Sequence, residues 1–490
     1  SLPSDFRITD DLTYDVVPYF WYGFGSGGGV STLTEGSKVY YGNVGINGVD
    51  WNGSGTVVSG TKVNYYNPSI TRTYRPGIVN KLTYDWGDHK IVGGYWFEQA
   101  FHRQSGPYQA LDASGDVQNY FMTDGDGYVI TSGALAGQTL MKRLATTRTT
   151  THMLFLGDTW SLAGDTLKLD YGIKQAFVTR DITNEAPGTT RDTTFNDTAT
   201  LPQVGLNWKF LPEHQLFASV ATAFRSVPNY ALYDGFSTSS GTIYPAGRPN
   251  PERATTVEIG HRYQGETFAT SVSAYATHFT DRQVSTYVLD SSGNSVSSYT
   301  NAGAVDKFGL DAEVGTRRFF GGLRPYASLS LGLTRMEDNL PTTSKIGGVW
   351  TQDWFATAGK QLPKSPNVIA AVGLDWDDGT YLANASLKYV GPQYSTFMND
   401  ERMPGYARVD AALGYRFGDV EINDKATIKK PELRLSMTNL FDQRMLTGVY
   451  STKTNAQPTT TVLGSTVAGA APSYYMSEGF AMMLTFKAAF

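Results

Sequence analysis

The side chains of this 490-residue chain that are best suited to chemistry do not assemble into a catalytic motif. Gly23-x-Gly25-x-x-Gly28 has the spacing of a dinucleotide-binding turn, but that chemistry needs a helix N-terminus behind the glycines to hold a pyrophosphate. Ser31-Thr32-Leu33-Thr34-Glu35-Gly36 follows instead, which is no helix, and the glycines read as a flexible loop tip. Asp124-Gly125-Asp126-Gly127 alternates carboxylates as a calcium loop does, yet it lacks the third ligand and the later glutamate, so it reads as a polar turn. His89, His102, His152, His214, His261 and His278 fall at no metal-ligating spacing, and no Gly-x-Ser-x-Gly elbow occurs. With no cysteine, thiol nucleophiles, iron–sulfur clusters and Cys-ligated zinc are excluded together. No catalytic residue, metal site or cofactor is expected. Recognition remains: Tyr65, Tyr66, Tyr108, Tyr120, Tyr230 and Tyr233 offer flat rings with a hydroxyl, and Arg225 offers a fixed positive charge.

The elements that must position these residues show in the composition. Charged residues make up 17%, below the roughly 25% of soluble domains, while Gly (52), Tyr (30) and Phe (25) are abundant. Mean hydropathy is −0.29 and no apolar run approaches the length of a membrane-spanning helix, so helical membrane proteins are excluded. A net charge of −5 gives no electrostatic basis for binding nucleic acid.

Alternation at period two runs through most of the chain. Phe480, Met482, Leu484, Phe486, Ala488 and Phe490 share one face, and Thr485 and Lys487 the other. Leu167, Leu169, Tyr171, Ile173 and Phe177 alternate likewise with Lys168, Asp170 and Lys174. Short hairpin turns at 87–88, 161–164, 211–214, 264–265, 318–322 and 377–379 alternate with long segments at 25–75, 103–148, 226–252, 280–305, 336–366 and 443–476. Short turns at one end and long loops at the other suit an outer-membrane barrel, whose strands close so that no backbone amide is left bare in hydrocarbon. The reading is all-β: a transmembrane antiparallel barrel with about sixteen strands of roughly ten to fourteen residues. Trp86, Trp160, Trp208, Tyr263, Phe319, Phe320, Trp376 and Phe417 lie beside the short turns, where an aromatic girdle is expected.

From about residue 200 onward the chain also resembles the TonB-dependent outer-membrane receptors. Phe224-Arg225-Ser226-Val227-Pro228-Asn229 is similar to the family's Phe-Arg-x-Pro element, and Pro249-Asn250-Pro251-Glu252 with Glu258-Ile259-Gly260 to its Pro-Glu and Glu-x-Gly strand. Asn301-Ala302-Gly303 with Gly309-Leu310-Asp311-Ala312-Glu313, then Pro404-Gly405-Tyr406 with Val409-Asp410, then Asn439-Leu440-Phe441-Asp442 and a terminal Phe490, follow in the family's order. Asp311 stands where the family usually has Glu, and Met445 where Tyr is common.

The resemblance implies energy-coupled uptake of a scarce nutrient in the bacterial outer membrane, usually a ferric siderophore. Its implied partners are a metal-chelate ligand, the chain's own plug domain, the TonB complex through an N-terminal box, and outer-membrane lipid and lipopolysaccharide. Neither plug nor box is recognisable, and the family's barrel has twenty-two strands, so residues 1–490 are expected to be the C-terminal part of a larger barrel. Lys168, Asp170, Lys174, Glu258, Arg262, Asp311, Glu313, Arg317, Arg408, Asp410, Arg416 and Arg434 are expected to face the lumen and the plug. A passive porin is the alternative, since sixteen strands also suit a water-filled barrel; the ordered family elements weigh against it.

Overall fold

The computed structural model describes residues 1–112, 114–189, 192–229, 232, 235–237, 241–243, 249–289, 295–317, 320–423 and 426–489. Among them, sixteen long strands form one antiparallel sheet in which each pairs with its neighbours in chain order. They are β1 (Leu12–Thr34), β2 (Lys62–Trp86), β3 (His89–Pro107), β4 (Met141–Leu162), β5 (Leu167–Asn184), β6 (Asp192–Leu211), β7 (His214–Arg225) and β8 (Glu252–Gln264). The series continues with β9 (Phe268–Thr280), β10 (Val305–Thr316), β11 (Leu323–Met336), β12 (Val368–Asp377), β13 (Tyr381–Val390), β14 (Tyr406–Arg416), β15 (Ala426–Thr438) and β16 (Ala481–Ala489). A four-residue strand, Ser4–Arg7, pairs with the outer edge of β1. No register among the described residues joins β16 back to β1 or to Ser4–Arg7. Arg318, Phe319 and Phe490 lie outside the described residues.

The early strands are much longer than the pattern predicts. β2 has 25 residues, about 80 Å at strand rise, which is far more than a bilayer requires. They run well into the segments expected to be loops, because polar Thr and Asn residues continue the ladder where hydrophobic alternation has stopped. For the same reason Gly23, Gly25 and Gly28 are strand residues of β1, not a loop tip. Gly28 permits a close approach: a Cβ there would stand 2.4 Å from Pro68 Cα.

The registers assign the faces. Leu154, Leu156, Ile173, Ile259, Leu413 and Phe486 point outward, and all are more than 45% exposed. Trp86, Trp160 and Trp208 stand on this apolar face beside the short turns. Asp158 also lies on it, masked by its neighbours. It accepts from Tyr171 Oη at 2.7 Å and bonds His89 Nδ1 at 2.6 Å, and the His89 ring stacks between Trp86 and Trp160 at 5.7 and 5.2 Å. A carboxylate on a lipid-facing wall is tolerated near the interface when it is paired in this way.

Fully buried apolar side chains collect at the long-loop end. One cluster joins Leu33, Tyr41, Trp51, Tyr65, Tyr108 and Ile130. A second joins Val284, Val305, Met336, Leu340, Phe355 and Phe397. The loops therefore fold over the end of the sheet as packed units.

Candidate functional site

Within the second of these clusters the loops leave a cavity of about 600 Å³, lined among others by Arg282, Val284, Leu362, Lys364, Phe397 and Tyr450. Four separate connections supply these residues, so no motif in the sequence announces them. Val284 and Phe397 form an apolar floor, 8% and 3% exposed, while Tyr450 is 63% exposed and packs edge-on to Tyr475. Arg282 Nη1 pairs with Glu252 Oε1 at 2.5 Å, and its guanidinium lies 4.7 Å from the Phe279 ring centroid. Glu252 Oε2 also accepts the Gln283 amide at 2.8 Å, so its charge is fully engaged. Lys364 makes no side-chain hydrogen bond or ion pair among the described residues and is exposed. Its backbone holds a left-handed φ of +62°, fixed by the bond from its amide to Tyr394 O at 3.0 Å. The cavity thus offers one uncompensated cation over an aromatic and aliphatic floor. That combination is suited to an anion with apolar parts.

Arg225 belongs to the same region. It pairs with Glu252 across β7 and β8 on the inward face, is exposed and forms no ion pair among the described residues. Gln283 Nε2 ties its carbonyl to the loop base at 3.3 Å. The expected tyrosines behave differently. Tyr65 and Tyr108, 1% and 3% exposed, pack together with ring centroids 6.3 Å apart, and Tyr65 Oη donates to Trp51 O at 2.5 Å. Tyr66 is 3% exposed on the opposite face of β2, 5.7 Å from the exposed ring of Tyr120. These rings brace two loop clusters on opposite sides of the sheet. Tyr230 and Tyr233 lie outside the described residues.

The family-like elements are locks at the strand ends. Asn301 Oδ1 accepts the Asn250 amide at 2.6 Å while its Nδ2 donates to Asp281 O at 2.7 Å. Asn439 holds a left-handed φ of +52° and donates to the carbonyls of Gln443 and Glu478. Its amide reaches Asp410 at 2.9 Å.

Below the cavity the registers turn Lys168, Asp170, Lys174, Glu258, Arg262, Asp311, Glu313, Arg408, Asp410, Arg416 and Arg434 to one face, the interior. Arg317 stands at the short turn after β10, its amide donating to Thr267 O. A further inward group was not read from the sequence. Glu98 accepts from Tyr19 Oη at 2.8 Å and from Arg75, and Trp96 Nε1 donates to Tyr19 Oη at 2.7 Å. Alternation in β1 and β2 could have found it, but the aromatics there occupy both faces. The Asp124–Asp126 turn is polar, as expected, with Asp124 accepting from Arg103 and Ser105.

Over residues 4–440 the sequence matches the TonB-dependent receptor-like β-barrel family. The chain belongs to that family. No curated protein sequence is similar to it at a significant level. Among solved structures, the siderophore receptor PiuA from Acinetobacter baumannii superposes with a TM-score of 0.63 at 18% identity, over 98% of this chain and 62% of that one. The ferric yersiniabactin uptake receptor FyuA from Yersinia pestis gives 0.60 at 15% identity, over 98% and 60%. The copper transporter OprC gives 0.61 at 16%, over 98% and 63%. At these identities the likeness concerns the fold. The chain spans about three-fifths of the length of these three structures.

Proposed function

We propose that this chain is the barrel part of a TonB-dependent transporter of the bacterial outer membrane that takes up an anionic metal chelate, a ferric siderophore first among them. The observation that carries the chelate class is the cavity of about 600 Å³ in which Lys364 stands uncompensated over Phe397 and Val284. Family membership supports the coupling to TonB. In this reading further strands complete the sheet between β16 and Ser4–Arg7, and a plug fills the lumen. Lipid and lipopolysaccharide surround the apolar outer face.

The barrel performs no covalent step. The loop end captures the chelate, the interior holds the plug, and force applied through TonB opens the path. Equilibrium binding of a panel of ferric chelates to the full-length receptor tests the site. At least one anionic chelate should bind, and Lys364→Ala should weaken it about tenfold, as expected when one charge-assisted contact is lost. Binding that is indifferent to Lys364 and Arg225 together would contradict the assignment of the site.

A further inference from the structure

Residues 117–122, in the connection after β3, descend the outside of the barrel. The registers put Phe24, Tyr66 and Ile70 on the same outward face as Trp86 and Leu156. Met122 is fully buried against Tyr66 and Ile70, and Val117 packs beside them. Ser26 Oγ donates to Tyr120 O at 2.7 Å and the Asn119 amide to Gln109 Oε1 at 3.3 Å, so the segment is tied to the wall at two points. Its aromatic side chains stay uncovered: Tyr120 is 60% and Phe121 71% exposed. The Tyr120 ring stands 5.7 Å from Tyr66, which pairs with Val30, whereas the Phe121 ring stands 6.4 Å from Phe24. Phe121 therefore hangs below Tyr120, toward the lipid-facing band.

Height decides what Phe121 meets. Phe24 pairs with Arg72, fourteen residues along β2 from Trp86, which is about 35 Å above the inner aromatic girdle for a rise of about 3.3 Å per residue and a tilt of about 40°. Hydrocarbon fills about 25–30 Å of that height, so Phe24 and Phe121 stand at the headgroup level of the outer leaflet. Directly beneath them Phe20, Tyr22 and Tyr74 are exposed on the same face, with Tyr22 and Tyr74 5.1 Å apart. We infer that residues 117–122 are a lipid contact that seats Phe121 in the outer headgroup layer and ties the tall β1–β2 hairpin to the membrane surface. The inference rests on the membrane barrel and not on the chelate site. Tyr120, expected from the sequence to meet a ligand, meets lipid instead. A second protein is the poorer occupant. At about 200 Å² per aromatic side chain, the exposed parts of Tyr120, Phe121 and Phe24 offer about 350 Å², against the about 800 Å² that each partner of a stable interface buries. The patch is also continuous with the lipid-facing rings below it, as an interfacial anchor requires. Asp124, just beyond Met122, is paired with Arg103, which lowers the cost of holding it near the interface.

The test places nitroxide labels on single cysteines of the full-length receptor in phosphatidylcholine vesicles. Residues 1–490 contain no cysteine, and any elsewhere in the receptor is replaced by serine. Phe121→Cys is compared with Leu154→Cys, exposed on the lipid-facing wall, and with Val58→Cys, exposed on a loop at the long-loop end. For each label, accessibility to oxygen, which concentrates in lipid, is divided by accessibility to a water-soluble nickel chelate. The ratio at position 121 should lie several-fold above that at 58 and below that at 154. A ratio equal to that at 58 overturns the lipid contact while leaving the barrel standing. Spin–spin broadening at 121 that persists on dilution into excess lipid puts a second copy on the patch and overturns the lipid contact as well. A ratio at 154 as low as that at 58 contradicts the membrane barrel itself and the inference with it.

Discussion

Lys388 and Arg408 face each other directly across β13 and β14, and Arg408 alone is answered by a carboxylate, with Nε 3.0 Å and Nη2 2.8 Å from Asp410 Oδ2. Asp410 also accepts the Asn439 amide through Oδ1 at 2.9 Å, so one side chain both neutralises the wall and closes the strand end. Asp410→Asn should therefore cost about 1–3 kcal/mol, the range for stripping a charged acceptor from a part-buried network. Adding Lys388→Gln should recover part of that loss. A double-mutant cycle on urea unfolding checks this; strict additivity would show that the two positions do not communicate.

Arg282 and Lys364 line the same cavity but should respond differently to removal. Arg282→Ala leaves the 7%-exposed side chain of Glu252 without its cation, and loss of one partner of a buried pair costs about 3–5 kcal/mol. Lys364→Ala removes an exposed, unpaired charge and should leave the unfolding midpoint within about 0.5 kcal/mol of wild type while weakening ligand binding. Thermal unfolding and ligand titration of both variants separate the roles.

Asp400 clamps one loop onto another, accepting from the amides of Ala456 and Gln457 at 2.9 Å each and from the Thr396 hydroxyl at 2.6 Å. Burial alone would raise its pKa, but these donors outweigh burial and hold it below the ordinary aspartate range. Its contribution is then fully present above about pH 4 and is lost as the pH falls through the depressed value. Amide exchange at 456–457, corrected for the intrinsic rate, should stay protected at pH 5 and become unprotected only in strong acid. Asp400→Asn should lose about tenfold protection at neutral pH.

Tyr41, 3% exposed in the first loop cluster, titrates in the opposite sense. Burial, reinforced by the Glu185 carboxylate, pushes its phenol from 10.0 to about 12. A raised value leaves stability unaffected below about pH 10 and erodes it between about pH 10 and 12, as the unfolded chain ionises first. Burial pushes the Tyr65 phenol up as well, so spectrophotometric titration should show a late phase of several phenols that loses the amplitude of one in Tyr41→Phe. An unchanged late phase would assign it elsewhere.

The sequence carried the sheet well because period-two alternation and turn length are local properties. Leu167 against Lys168 and Leu413 against Arg408 state which face meets lipid, and the short turns state which end is which. The extra length of β1 to β4 was hidden, since Thr and Asn carry no hydrophobic alternation to follow. The cavity was hidden for another reason: Arg282, Lys364, Phe397 and Tyr450 come from four connections, and only packing brings them together. Composition does not distinguish a ring offered to a ligand from Tyr65, which lies within β2 with its hydroxyl already given to Trp51 O.

Uptake of a radiolabelled ferric chelate by bacteria expressing the full-length receptor, with and without a functional TonB complex, tests the central claim most directly. The account predicts accumulation that requires TonB and falls when Lys364 and Arg225 are both replaced by alanine. Accumulation at the same rate without TonB would contradict it and would favour a passive channel.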